Sequence, residues 1–187
     1  MEKDIEKDID KEKVAPQDAV RNFFKELVPY IVIVFIVALI RTFVATPVRV
    51  NGDSMHPTLK NGEILVLSKL DTNYKRNDVI VAKALNTKII KRVIGVPGDN
   101  VEYKSCKLYI NGEEVKDFVE ECITEDFTLE DLYGYVTIPE DYYFVMGDNR
   151  KASTDSRDYR VGLIKKDKIL GKAVFRLTPF KRFGTLK

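Results

Sequence analysis

The sequence predicts a mainly β domain of short antiparallel strands, preceded by one N-terminal transmembrane helix. Three observations carry this expectation. A charge-free stretch, "LVPYIVIVFIVALI", runs over residues 27–40. Beyond Val48, short runs rich in Val, Ile, Leu and Tyr alternate with turn signals. Apolar residues make up 44% and charged residues 32% of the 187, a globular composition and not a disordered one.

The N-terminal residues 1–26 hold six Lys/Arg and eight Asp/Glu, opening on two copies of "EKDI". A four-residue repeat stacks like charges at i,i+4, which weakens an isolated helix, so residues 1–22 read as a solvated tail. Pro16 ends any helix before it, and Gln17 can start a new one. Fourteen uncharged residues make roughly 21 Å of helix, short of a ~30 Å hydrocarbon core. Phe23 and Phe24 extend the run backward past Lys25 and Glu26, and "TFVATPV" extends it forward past Arg41. Long charged side chains snorkel at helix ends, so residues 23–45 form an uncleaved membrane anchor. The flanking cations, Arg21 and Lys25 before and Arg41 and Arg49 after, nearly balance and leave the orientation to function.

The remaining residues, 46–187, form one domain. "EILVLSKL" (63–70), "DVIVAKAL" (78–85), "TKIIKRVIG" (87–95) and "NVEYKSCKLYI" (100–110) read as strands. Asn61-Gly62, Asn77-Asp78, Pro97-Gly98-Asp99 and Asn111-Gly112 punctuate them, and "LYINGEEV" reads as a hairpin with an Asn-Gly turn. Residues 116–134 are acidic and less regular, so an insertion over about 100–137 is expected to be loop-rich. "YVTIPEDYYFVMGDNR" and "GKAVFRLTPF" return to strand character.

Several function classes drop out. Net charge is +2, and there is no zinc-finger spacing, Gly-rich phosphate loop or basic-aromatic stripe, so nucleic acid is not an expected partner. Two cysteines and one histidine make no metal site, and no cofactor is expected. Cys106 and Cys122 read as unpaired thiols in preference to a disulfide.

Ser54, in "NGDSMHPTL", is a hydroxyl that needs a base to become a nucleophile. His56, two residues away and stiffened by Pro57, is poorly placed to serve. A lysine can act as base only where burial disfavours its charge. Lys91 in "KIIKRVIG" shares a strand face with Ile89 and Val93, which marks either a functional amine or an edge-strand guard against aggregation.

"GDSMHPTL", "KRVIGVPGD" and "MGDNRKASTDSRDYRVG", in this order, resemble the bacterial type I signal peptidases, with the match running from about Arg41 to Phe175. The resemblance implies a signal-peptidase-like fold of antiparallel sheets with a smaller inserted β subdomain. It implies Ser54 as nucleophile and Lys91 as general base of a Ser-Lys dyad. Ser153 and Asp155 are implied to hold the lysine, with Arg92 paired to Asp148 and Arg157 to Asp155. Gly52 stands where some members carry a serine that helps the oxyanion hole, leaving the Ser54 backbone N–H as one donor and the second donor unassigned. Glu63 stands where an Asp commonly follows the glycine.

The family cleaves signal-peptide-bearing preproteins after small residues at Ala-x-Ala type sites. The substrate strand adds beside Val48 to Asp53 and Lys88 to Lys91, which places Gly52, Asp53, Met55, Ile89 and Ile90 at the substrate. Met55 reads equally well as an ordinary core residue. A single span suggests the Gram-positive type, anchored in the lipid bilayer with its N-terminus cytoplasmic and its catalytic domain outside. An alternative from another class is a dedicated processing or assembly factor working with export or pilus-assembly machinery.

Overall fold

The computed structural model describes residues 16–117, 119 and 122–186, so the first fifteen residues of the expected tail lie outside it. The chain divides into two compact units between Thr42 and Phe43.

The first unit is a helix, α1 (Pro16–Leu39). Proline at the first helical position lacks an N–H that would have no partner there anyway. A π-helical stretch over Ile40–Val44 follows it. From Val20 to Val44 the mean hydropathy reaches 2.5, and none of that apolar stretch is buried. Twenty-four residues make about 36 Å of helix, enough to cross a hydrocarbon core. Phe35 is 62% and Val34 68% exposed, and a helix apolar all round needs a lipid or protein surround. The helix is suited to a membrane anchor.

The second unit is built on two antiparallel sheets. Its strands are β1 (Ala45–Arg49), β2 (Ile64–Ser68), β3 (Val79–Ala84), β4 (Thr87–Gly95), β5 (Val101–Lys104) and β6 (Lys107–Ile110). There follow β7 (Glu113–Val115), β8 (Phe127–Thr128), β9 (Tyr142–Met146), β10 (Ile164–Lys165), β11 (Ile169–Thr178) and β12 (Gly184–Thr185). The large sheet runs β1-β2-β11-β3-β4-β9-β10, with β12 on β11. The small sheet, β7-β6-β5-β8, is inserted between β4 and β9, which themselves pair. A cluster containing Ile94, Val101, Tyr103, Ile110, Phe127, Phe144 and Met146 packs the insertion against β4 and β9.

The Asn-Gly hairpin joins β6 to β7, with Asn111 at φ 55° and Gly112 at φ 80°, the left-handed pair a tight hairpin requires. Residues 100–110 are two strands and not one. Ser105 and Cys106, at φ 49° and 66°, turn the chain with neither Gly nor Asn to announce it. The acidic stretch is also more regular than expected. Phe127–Thr128 pairs with β5, and Thr128 and Asp131 form a capping box that starts α2 (Leu129–Tyr133).

The cysteines are paired, which corrects the expectation of free thiols. Cys106 in the β5–β6 turn is bonded to Cys122, with Cα atoms 4.9 Å apart. The link closes a loop whose ends are 16 residues apart in sequence. Replacing both cysteines by serine should lower unfolding stability by about 3 kcal/mol, the loop-closure scale for this size. Reductant should destabilise the wild type in urea titrations and leave the double variant unchanged.

Candidate active site

The Ser54 loop and the 147–157 loop meet at Gly147, the residue that follows β9. A Cβ built on Gly147 would lie 2.2 Å from Ser153 Oγ and 2.4 Å from Ser54 O, so only glycine fits. The Ser54 carbonyl accepts the Asn149 N–H at 3.0 Å, and Asn149 Nδ2 donates to Asp53 O at 3.1 Å. The loop after β1 is thereby held to the loop after β9. From its other side Arg176 Nη2 and Arg182 Nη2 donate to Thr58 O at 2.7 and 2.9 Å. Both guanidiniums pair with the buried Glu63 carboxylate, so this departure from the common Asp has an anchoring use.

Ser54 is half-buried, and neither its N–H nor its Oγ has a hydrogen-bond partner among the described residues. Gly52 and Asp53 are exposed. Gly52 sits at φ +88°, a conformation that strains any side chain, so a serine there would be costly in this loop. Met55 faces inward at 1% exposure, packed with Val50, Leu59, Leu65, Val79 and Ala173. It belongs to the core under the loop. His56 is exposed, and its backbone N–H donates to Asp53 O.

Lys91 lies in the middle of β4 at 4% exposure. Directly paired residues of antiparallel strands project to one side, so Lys91 shares a face with its partner Ile80. Ile89 and Val93 flank it on that face, and Val93 pairs with Val145. Ile80, Val93 and Val145 are fully buried and belong to one cluster, with the half-buried Ile89 packed against it. An amine in this apolar row resists protonation. Burial pulls its pKa below the ordinary lysine value; Asp155 opposes this, Arg157 adds to it, and Asp148 opposes it again. Ile90 points to the opposite face, against the cluster that holds Met55.

The surrounding charges are paired. Arg92, fully buried, binds Asp148 through Nε to Oδ1 at 2.9 Å and Nη2 to Oδ2 at 2.6 Å, and Nη1 donates to Asn77 O. Asp155 is also fully buried. It accepts from Gly147 N at 2.9 Å and from Arg157 Nε and Nη2 at 2.8 and 2.9 Å. Burial alone would raise its pKa; the Arg157 contacts, with help from Ser153 and Gly147, outweigh this and hold it below the usual carboxylate range. Ser153 Oγ is buried without a partner of full hydrogen-bond geometry, a hydroxyl available to another polar group beside Gly147. No group of three His, Cys, Asp or Glu able to hold a metal ion occurs among the described residues.

A family model described as "Signal peptidase, peptidase S26" matches residues 21–178, most of the chain. The chain belongs to the peptidase S26 signal peptidase family. It is 37% identical over 186 residues to a signal peptidase I of Bacillus amyloliquefaciens, covering 95% of this chain and 98% of that one. It is 38% identical over 180 residues to signal peptidase IB of Staphylococcus aureus, covering 85% and 93%. A crystal structure of a signal peptidase I from Enterococcus faecalis is 38% identical and covers 54% of this chain and 96% of that one, with a TM-score of 0.49.

Sequence reasoning passed over Gly147 and Asn149, although both stand in the quoted "MGDNR". A Gly one residue past a strand was the available signal for a close approach. The Glu63–Arg176–Arg182 group had no signal, because Glu63 is more than a hundred residues from both arginines. Gly147→Ala should cost about 1–3 kcal/mol of stability, the usual penalty of overpacking. Urea unfolding of Gly147→Ala beside the wild type would measure it.

Proposed function

We propose that the chain is a membrane-anchored serine endopeptidase that removes signal peptides from exported preproteins with a Ser54–Lys91 dyad. The observation that carries this reading is the buried, charge-averse amine of Lys91 on the strand beside Gly147, against which the Ser54 loop packs. Membership of the signal peptidase family supports the reaction class.

Neutral Lys91 takes the Ser54 Oγ proton as Oγ bonds to the scissile carbonyl carbon. The carbon–nitrogen bond then breaks, and the lysine ammonium returns the proton to the leaving amine. A water deprotonated by Lys91 next hydrolyses the ester and frees Ser54. The unpartnered Ser54 N–H is one oxyanion donor. Ser153 and Asp155 orient the amine, and Arg157 and the Arg92–Asp148 pair hold the charges around it.

Two open strand edges suit an extended substrate. Among the described residues the strand paired with β1 is β2, and residues 87–91 of β4 pair with β3, because β9 covers only the far end of β4. A signal peptide adding there would contact Gly52, Asp53, Ile89 and Ile90, while Met55 braces the loop from beneath. Pockets that admit only small groups then select Ala-x-Ala type sites by steric exclusion. Residues 23–45 anchor the enzyme in the lipid bilayer, the tail of residues 1–22 stays in the cytoplasm, and residues 46–187 work outside. Export machinery delivers the preproteins.

Full-length protein in detergent should cleave a presecretory substrate, and Ser54→Ala and Lys91→Ala should each lose about 10³-fold or more. A variant that cuts as fast as wild type refutes the dyad. A wild type that cuts nothing while pilus assembly still requires the chain selects the assembly-factor reading. Protease treatment of intact cells should digest the β domain and spare the tail.

The deprotonated amine is the active form, so the rate should climb with pH. Its acid limb should lie below the ordinary lysine value, because burial suppresses protonation. Arg157→Met removes a cation that lowers the lysine and should move that limb to higher pH in a kcat–pH profile.

A further inference from the structure

The inserted sheet grips the 147–157 loop at two points that the reaction above does not use. Asp117, two residues past β7, takes Arg150 in a forked ion pair, with Nη1 to Oδ2 at 2.8 Å and Nη2 to Oδ1 at 2.5 Å. The two side chains are 1% and 9% exposed for Arg150 and Asp117. Tyr133, the last residue of α2, donates its phenol hydrogen to Ser156 O. Burial, then the nearby Asp155 and Asp158, push its pKa up to about 12, so it remains a donor at ordinary pH.

Arg150 passes the grip onward. Its Nε donates to Gly147 O at 3.0 Å, and its own carbonyl accepts from Arg157 Nη2 at 3.0 Å. Gly147 is the residue against which Ser54 O and Ser153 Oγ pack, and Arg157 is the cation that holds Asp155. A buried guanidinium stripped of its carboxylate is strongly unfavourable and must shift toward water. Any such shift moves Gly147 and Arg157 together. Asp117 itself lies inside the loop closed by the Cys106–Cys122 bond, which limits where it can go.

We propose that Asp117 is a positioning residue for peptide cleavage: through Arg150 it sets the 147–157 loop, and with it the Ser153 hydroxyl and the Asp155 carboxylate near Lys91. The inserted sheet thereby takes part in turnover as well as in the core. This rests on the Ser54–Lys91 reading above.

The test is full-length Asp117→Asn in detergent, assayed on a presecretory substrate beside wild type, Ser54→Ala and Lys91→Ala. Asp117→Asn should lower kcat about 10- to 100-fold, the scale of lost supporting contacts, with KM nearly unchanged. The acid limb of its kcat–pH profile should move to higher pH, because a loosened loop admits water to the amine. Asp117→Glu should recover part of both effects. If Asp117→Asn does not fold, Asp117→Glu alone must show the same pair of changes in smaller degree. Unchanged kcat and pH limb, with or without a lower melting temperature, overturn the proposal and leave the pair purely structural. In that outcome inactive Ser54→Ala and Lys91→Ala leave the dyad standing, whereas active ones remove the dyad itself.

Discussion

A lysine amino group buried in the face of a sheet is the constraint on which the rest of this domain depends. An ammonium in such a place costs several kcal/mol unless it is paired or loses its proton. Among the charges that act on Lys91, Asp155 and Asp148 favour the ammonium and Arg157 opposes it, while burial dominates. Asp155 and Asp148 are each already bound to an arginine, so neither is a full counter-ion for the amine. The result is a lysine whose pKa is held below the ordinary value without the amine being left alone.

Holding that state requires several distant stretches of the chain in register. β4 supplies the lysine and Arg92, and its pairing with β9 sets Met146 opposite Arg92, so that Asp148 two residues further on reaches the guanidinium. The same turn carries Gly147, whose missing side chain lets the Ser54 backbone and Ser153 come close. Fixing φ/ψ in loops is entropically costly, and here the cost is offset by hydrogen bonds to backbone carbonyls from the Asn149 N–H and the guanidiniums of Arg150, Arg157, Arg176 and Arg182. Arginine suits this work because one planar head can hold a carboxylate and a carbonyl together. The inserted sheet adds to the same scaffold through Asp117, bound to Arg150, and Tyr133, bound to the Ser156 carbonyl.

Much of this was legible in the residues, and for local reasons. The helix is read from an uninterrupted apolar run, the β6–β7 hairpin from Asn111-Gly112, and β4 from its alternation around Lys91. Where local chemistry was silent the reading failed. Ser105 and Cys106 turn the chain in left-handed conformations that neither residue type favours, held by strand pairing and by the bond to Cys122. Met55 reads both as a site residue and as a core residue, and burial at 1% places it in the core.

The sequence by itself determined the family, the N-terminal apolar helix, the order of the motifs along the chain and the identity of an amine surrounded by apolar neighbours. Those follow from residue type and short-range spacing, which tertiary contacts modify little. Only the tertiary structure decided that Gly147 is the meeting point, that Glu63 bridges two arginines, that Cys106 and Cys122 are bonded, and that Asp117 reaches Arg150. Each of these is a contact between residues far apart in the chain, created by sheet register and not by any local preference.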